Sequence, residues 1–108
     1  MDGLIDRYAF DVEMYSGAPF LVNHRVFAYV ANGIPDGVKT DQEGNVYSGC
    51  GDGVHVWSPA GVLLGKILLP DQSSNLCFGK PGEMFACNEH RLFKVTLDHS
   101  VKGTILEY

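Results

Sequence analysis

This 108-residue chain is short of basic residues: 8 Lys and Arg stand against 13 Asp and Glu, a formal charge of −5. That balance argues against a groove for nucleic acid and against docking on an anionic membrane surface. No apolar run approaches the roughly 20 residues of a membrane span. The opening residues, "MDGLIDRYAF", lack the basic and apolar regions of a secretory signal, and no Asn-x-Ser/Thr sequon occurs. Only three cysteines are present and none has C-x₂-C spacing, so a structural zinc site is not expected. Good helix-forming stretches are few. Thirteen glycines and 45% hydrophobic residues instead describe many short strands joined by tight turns.

A shift of 38 positions lays "VKTDQEGNVYSGCGDGVHVWSPAGVLLGKIL" over "LCFGKPGEMFACNEHRLFKVTLDHSVKGTIL" without a gap. Gly44 then meets Gly82, Tyr47 meets Phe85, Val54 meets Leu92 and Gly65 meets Gly103. Turn residues cut each unit into four short strands: Gly37–Asp41, Asn45–Cys50, Gly53–Ser58 and Val62–Leu69, then Asn75–Gly79, Glu83–Asn88, Arg91–Leu97 and about Val101–Leu106. A four-stranded unit of about 40 residues is the blade of a β-propeller. Ahead of Pro35, "DRYAFDVE" and "PFLVNHRVFAYV" alternate like the third and outer strands of a further blade, with "EMYSGA" turning between them.

The expected fold is therefore all-β: a partial β-propeller of about two and a half four-stranded antiparallel blades. Residues 1–34 would end one blade, 35–70 form a full blade and 71–108 the last. About ten strands do not close a ring of four or more blades. The first and last blades would expose strand edges, which favours self-association.

Asp36 opens the first full unit, in "IPDG". Pro-Asp-Gly is a common turn sequence, because Pro presets φ, Asp bonds its own backbone and Gly takes the left-handed position. Under the 38-residue shift Asp36 falls on Ser74, so the acid is not repeated in the second unit. Asn75, the next residue, lies near the predicted mouth of that unit, as a turn cap or a pocket-lining amide. Cys50 and Cys87 are 37 apart in a 38-residue repeat, which puts them on opposite faces of equivalent strands and argues against a disulfide. His55 alternates with Trp57 on one face of its strand, as a packed or hydrogen-bonded sheet histidine. "GCGDG" precedes a strand rather than a helix, so it does not read as a phosphate loop. The acids at 41, 43 and 52 read as solvated turn residues.

The stretch "GIPDGVKTDQEGNVYSGCGDGVHVWSPAGVLLGKILLP", preceded by "DRYAFDVE" and "RVFAYVANGIPDG", resembles the gluconolactonase and lactonohydrolase family of six-bladed propellers, which includes the senescence marker proteins, with the flavour of the fungal lactonohydrolases. The resemblance implies the C-terminal blades of a calcium-dependent lactone hydrolase, acting on a small-molecule aldonolactone, gluconolactone or pantoyl lactone. It implies calcium, or another divalent cation, in the central channel. Asp36 would be both metal ligand and catalytic base. The family's other functional residues, a Glu, an Arg and Asn pair and a further Asn, have no counterpart in these 108 residues, so catalysis by the chain alone would be incomplete. "PDGVKTDQEGNVYSG" also resembles the repeats of NHL-type propellers, which leaves a non-catalytic segment for protein contacts as the alternative.

Overall fold

Alternation of apolar and polar residues, with glycine where the chain must reverse, builds three antiparallel sheets. They are seen in a computed structural model that describes residues 5–30 and 35–104. β1 (Ile5–Tyr15) and β2 (Ala18–Val30) form a long hairpin. β3 (Val38–Thr40), β4 (Val46–Cys50), β5 (Gly53–Trp57) and β6 (Leu63–Leu68) form a four-stranded sheet in sequence order. β7 (Asn75–Phe78), β8 (Glu83–Cys87) and β9 (Leu92–Thr96) form a three-stranded one. Among the described residues no helix is long and apolar enough to cross a membrane.

The hairpin runs further than its sequence suggests, because Ser16 and Gly17 both adopt positive φ (51° and 80°) and reverse the chain in two residues. Such a turn matches the right-handed twist of the flanking strands. β2 is irregular where β1 is not. Between the pairs Ala9↔Arg25 and Asp11↔Val22, β2 carries one extra residue, and Asn23 there has φ 54°. A second extra residue, Phe27, lies between the partners of Arg7 and Tyr8. β1 thus keeps strict alternation while β2 bends.

The repeat is visible in the turns. Gly44 and Gly82, which coincide under the 38-residue shift, sit at equivalent places with φ 84° and 78°. The central sheet lies between the other two. On one side Tyr47 and Val54 pack with Leu76, Met84 and Ala86 of the three-stranded sheet. On the other, Cys50 and Trp57 pack with Ala28 and Val30 of β2. The period-2 geometry of β5 accounts for this division, since successive side chains point to opposite faces. All three cysteines are free.

One expected strand differs. Residues 101–104 do not run beside β9. Lys102 O accepts from Gln42 N at 2.8 Å and Thr104 N donates to Thr40 O at 3.0 Å, with a bridge between Asp41 and Gly103. The segment is therefore a strap across the end of β3. Gly103 permits it, because a Cβ there would collide with the Phe78 side chain. Residues 105 and 106 of the expected strand lie outside the described residues.

Candidate functional site

Asp36 sits at the opening of β3, and its backbone is clamped from two directions. Asp36 N donates to Gly49 O at 2.8 Å, and Gly49 N returns a bond to Gly37 O at 3.1 Å. Gly37 N then donates across to Ser74 O, 2.9 Å, at the opening of β7. The two strand mouths touch, and Gly37 is what lets them: a Cβ at this position would overlap Asn75 Oδ1. Asn75 is thus placed directly beside the Pro-Asp-Gly turn.

The neighbouring chain is held as firmly. Ser73 N donates to Cys50 O (3.0 Å) and Ser74 N to Cys87 O (2.9 Å), while Ser73 Oγ donates to Asn75 O (3.1 Å). Gly49 is required here too, because a Cβ would strike the Ser73 carbonyl. The Asp36 and Asn75 side chains are both exposed. Asn75 also performs the capping role open to it from sequence, its Oδ1 accepting Leu76 N at 2.8 Å.

These two residues offer a carboxylate and an amide oxygen, the hard donors that calcium takes, but calcium requires six to eight oxygens. Among the described residues no group of three or more His, Cys, Asp or Glu side chains converges. The donor chemistry suits a divalent cation, and the number does not complete its shell. A cavity of about 440 Å³ runs between β3 and β7, lined by Val38, Lys39, Thr40, Cys77, Phe78 and Thr104. Another of about 340 Å³ lies between the hairpin and the central sheet, where Tyr8, Phe27, Val46 and Trp57 make its walls largely apolar. Asp36 and Asn75 stand at the heads of β3 and β7 and line neither cavity.

The acid that the sequence reading misplaced is Asp41. It is not a solvated turn residue; it is 5% exposed and saturated with donors. Its Oδ1 accepts from Glu43 N (2.9 Å) and Asn45 N (3.0 Å), and its Oδ2 from Asn45 Nδ2 (3.0 Å) and Tyr47 OH (2.9 Å). Burial opposes ionisation of Asp41, but the bonds from Asn45, Tyr47 and Glu43 outweigh it and hold the carboxyl below the usual range. Burial first, then the Asp41 carboxylate, pushes the Tyr47 phenol well above its ordinary value. Asp41 follows β3 whereas Asp36 precedes it, so this network stands at the far end of the strand from the mouth. The signal was present in "DQEGNVY": an acid, a turn, then an amide and a phenol four and six residues on.

Asp52 also has partners. It lies 2.6 Å from His55 Nε2 and 3.8 Å from Lys66 Nζ. His55 is buried beside Trp57, with ring centroids 5.8 Å apart. It is the hydrogen-bonded sheet histidine that its alternation suggested.

Short antiparallel sheets stacked face to face, each led by a turn at its first strand, define an open segment of a β-propeller. Residues 3–86 match the SMP-30/Gluconolactonase/LRE-like region, and the chain belongs to that family. It is 36% identical over 66 residues to a gluconolactonase of Zymomonas mobilis, an overlap of 58% of this chain and 18% of that protein. Among solved structures it is similar to one assigned as a gluconolactonase, with TM-score 0.73 and 30% identity over 99% of this chain and 34% of the other. The gluconolactonase of Xanthomonas campestris gives TM-score 0.70 and 34% identity, over 80% of this chain and 29% of that one. A luciferin-regenerating enzyme shares the fold at TM-score 0.64 and 22% identity, over 92% of this chain and 39% of that one. The chain therefore spans between 18% and 39% of the length of these relatives.

Proposed function

We propose that the chain is the C-terminal portion of a metal-dependent lactone hydrolase, with Asp36 as its contribution to the reacting centre and Asn75 lining the same mouth. The observation that supports this most is the contact between the two strand openings. The Gly37 N to Ser74 O bond brings the openings of β3 and β7 into contact, and that contact supports a site shared by the two openings. Relatives that carry gluconolactonase names support the substrate class, a small lactone. In blade terms, residues 1–34 end one blade, 35–70 make the next and 71–108 the last.

Asp36 would contribute an oxygen ligand to a divalent cation of the calcium type, with Asn75 lining the pocket beside it. Such an ion, when bound, supplies Lewis acidity toward a carbonyl oxygen. The Asp36 carboxylate takes a proton from the attacking water. The water oxygen bonds to the lactone carbonyl carbon, the ring C–O bond breaks, and the proton passes to the departing alkoxide. The product is an open-chain hydroxy acid.

The test is pH-stat titration of acid released from aldonolactones and pantoyl lactone, with calcium or chelator, on the chain and on Asp36→Ala. Calcium-dependent hydrolysis that disappears in the variant supports the assignment. Equal background rates in both proteins would refute catalysis by this chain alone and favour a non-catalytic propeller segment that makes protein contacts.

A further inference from the structure

The openings of β3 and β7 are joined through two residues that belong to neither strand. Ser73 and Ser74 end the connection from β6 to β7 and stand between the central sheet and the three-stranded one. Ser73 N donates to the carbonyl of Cys50, the last residue of β4, and Ser74 N to that of Cys87, the last residue of β8. Ser74 O accepts Gly37 N from the other side. With the bonds Asp36 N to Gly49 O and Gly49 N to Gly37 O, five amide donors at 2.8–3.1 Å run through this small region.

Ser73 is the buried member of the pair, 3% exposed. A buried hydroxyl is costly unless it is bonded, and Ser73 Oγ donates to Asn75 O at 3.1 Å. That bond spans Ser74 and so fixes the carbonyl that receives Gly37 N. The Ser73 carbonyl lies so close to Gly49 that a Cβ there would strike it, and the Gly49 carbonyl in turn holds Asp36 N. One residue therefore reaches both openings. The Ser74 hydroxyl, by contrast, repeats a contact that its own backbone makes, Oγ donating to the same Cys87 carbonyl at 3.1 Å. Ser48 Oγ reaches Asp36 O at 3.4 Å, beyond the usual range of about 2.5–3.0 Å for such a bond.

We infer that Ser73 is the positioning residue of the mouth: its hydroxyl keeps the openings of β3 and β7 moving as one unit, so that Asp36 and Asn75 hold one relative placement. This role deepens the lactonase reading and, for its effect on rates, rests on it. Both side chains are exposed, so burial does not fix them and their backbone must. A misplacement of about 1 Å can cost about a hundredfold in rate.

Native-state hydrogen exchange of the full chain, followed by NMR under rising urea, tests the coupling without any variant. The amides of Asp36, Gly37, Gly49, Ser73 and Ser74 should open together, with protection within about tenfold of one another and one urea dependence. Gly37 opening independently of Ser73 and Ser74 would overturn this role. In Ser73→Ala the Asp36 and Gly37 amides should lose protection by at least about fivefold, the worth of one bond, while the amides of β5 and β8 keep theirs. An unchanged Gly37 amide would overturn the role, and so would an equal loss throughout the chain, which marks a residue of the whole fold. Ser74→Ala removes a duplicated bond and should leave Gly37 protected; a loss there equal to that of Ser73→Ala would overturn the assignment to the Ser73 hydroxyl. Lactone hydrolysis by pH-stat separates the two readings. In an active parent chain Ser73→Ala should lower kcat by at least about tenfold and change KM by less than about twofold, and a parental kcat would overturn the role. A parent chain without hydrolysis refutes catalysis by this chain alone, and the exchange data still decide the coupling.

Discussion

Replacing Tyr47 by Phe removes one O–H and little else, which isolates the bond that closes the Asp41 network. The phenol is 5% exposed and donates to Asp41 Oδ2 at 2.9 Å. A buried hydrogen bond to a charged acceptor is worth about 1.5–3 kcal/mol. For a domain of this size each kcal/mol moves the melting temperature by about 4 °C, so the expected drop is about 6–12 °C. The pH dependence gives a sharper signature. Asp41 has a lowered pKa in the fold, so its contribution is present above the unfolded carboxyl value of about 3.9 and is lost as pH falls through the folded one. Tyr47 has a raised pKa, so its contribution is present below about pH 10 and is lost as pH rises beyond it. Urea melts followed by fluorescence of Trp57, run from pH 3 to 11 on both proteins, would read both limbs. Tyr47→Phe should lose the alkaline decline and keep a reduced acid decline. A variant within about 0.5 kcal/mol of the parent, the ordinary range for an inert substitution, would refute the account of Asp41 as a saturated structural acid.

Three other outcomes follow from the packing. Gly37→Ala drives a Cβ into Asn75 Oδ1 and displaces the cap on Leu76 N; chemical denaturation should show a loss of about 1–3 kcal/mol, and an unchanged midpoint would show that the mouth is not fixed by this contact. Met84→Ala empties a 0% exposed position between the two full sheets and should cost about 2–5 kcal/mol in the same assay. Thiol labelling under native conditions should proceed fastest at exposed Cys77 and reach buried Cys50 only on unfolding; equal rates at both would contradict the burial of Cys50 against Trp57.

The part of the fold legible in the sequence is the part that local chemistry dictates. The coincidence of Gly44 with Gly82 marks a turn needing positive φ in each unit, and both residues adopt it. The alternation through Val54, His55, Val56 and Trp57 separated the two faces of the strand, and the structure sets Val54 against the three-stranded sheet and Trp57 against β2. What escaped depends on partners distant in the chain. Asp41 looks like a turn residue until Tyr47 closes over it and Thr104 Oγ1 donates to its carbonyl at 3.0 Å. The segment 101–104 alternates plausibly enough for an outer strand, and only its fit of Gly103 against Phe78 takes it elsewhere. The site was legible to the same degree. A Pro-Asp-Gly turn announces a strand opening, but nothing in "IPDG" says that its glycine will lie against Asn75, 38 residues later.

The strap across β3 bears on the order in which the protein is made. Gln42 leaves the ribosome 60 residues before Lys102, and Thr40 leaves it 64 residues before Thr104, the residues that pair with them. At about 5–20 residues per second that interval is about 3–12 s. Throughout it the innermost strand of the central sheet waits with open amide and carbonyl groups at its end, next to a hairpin whose apolar face is already complete. The nascent chain is therefore most exposed to wrong pairing at β3 after its first sheet has formed and before residues 102–104 arrive, and the strap is the contact that ends that period.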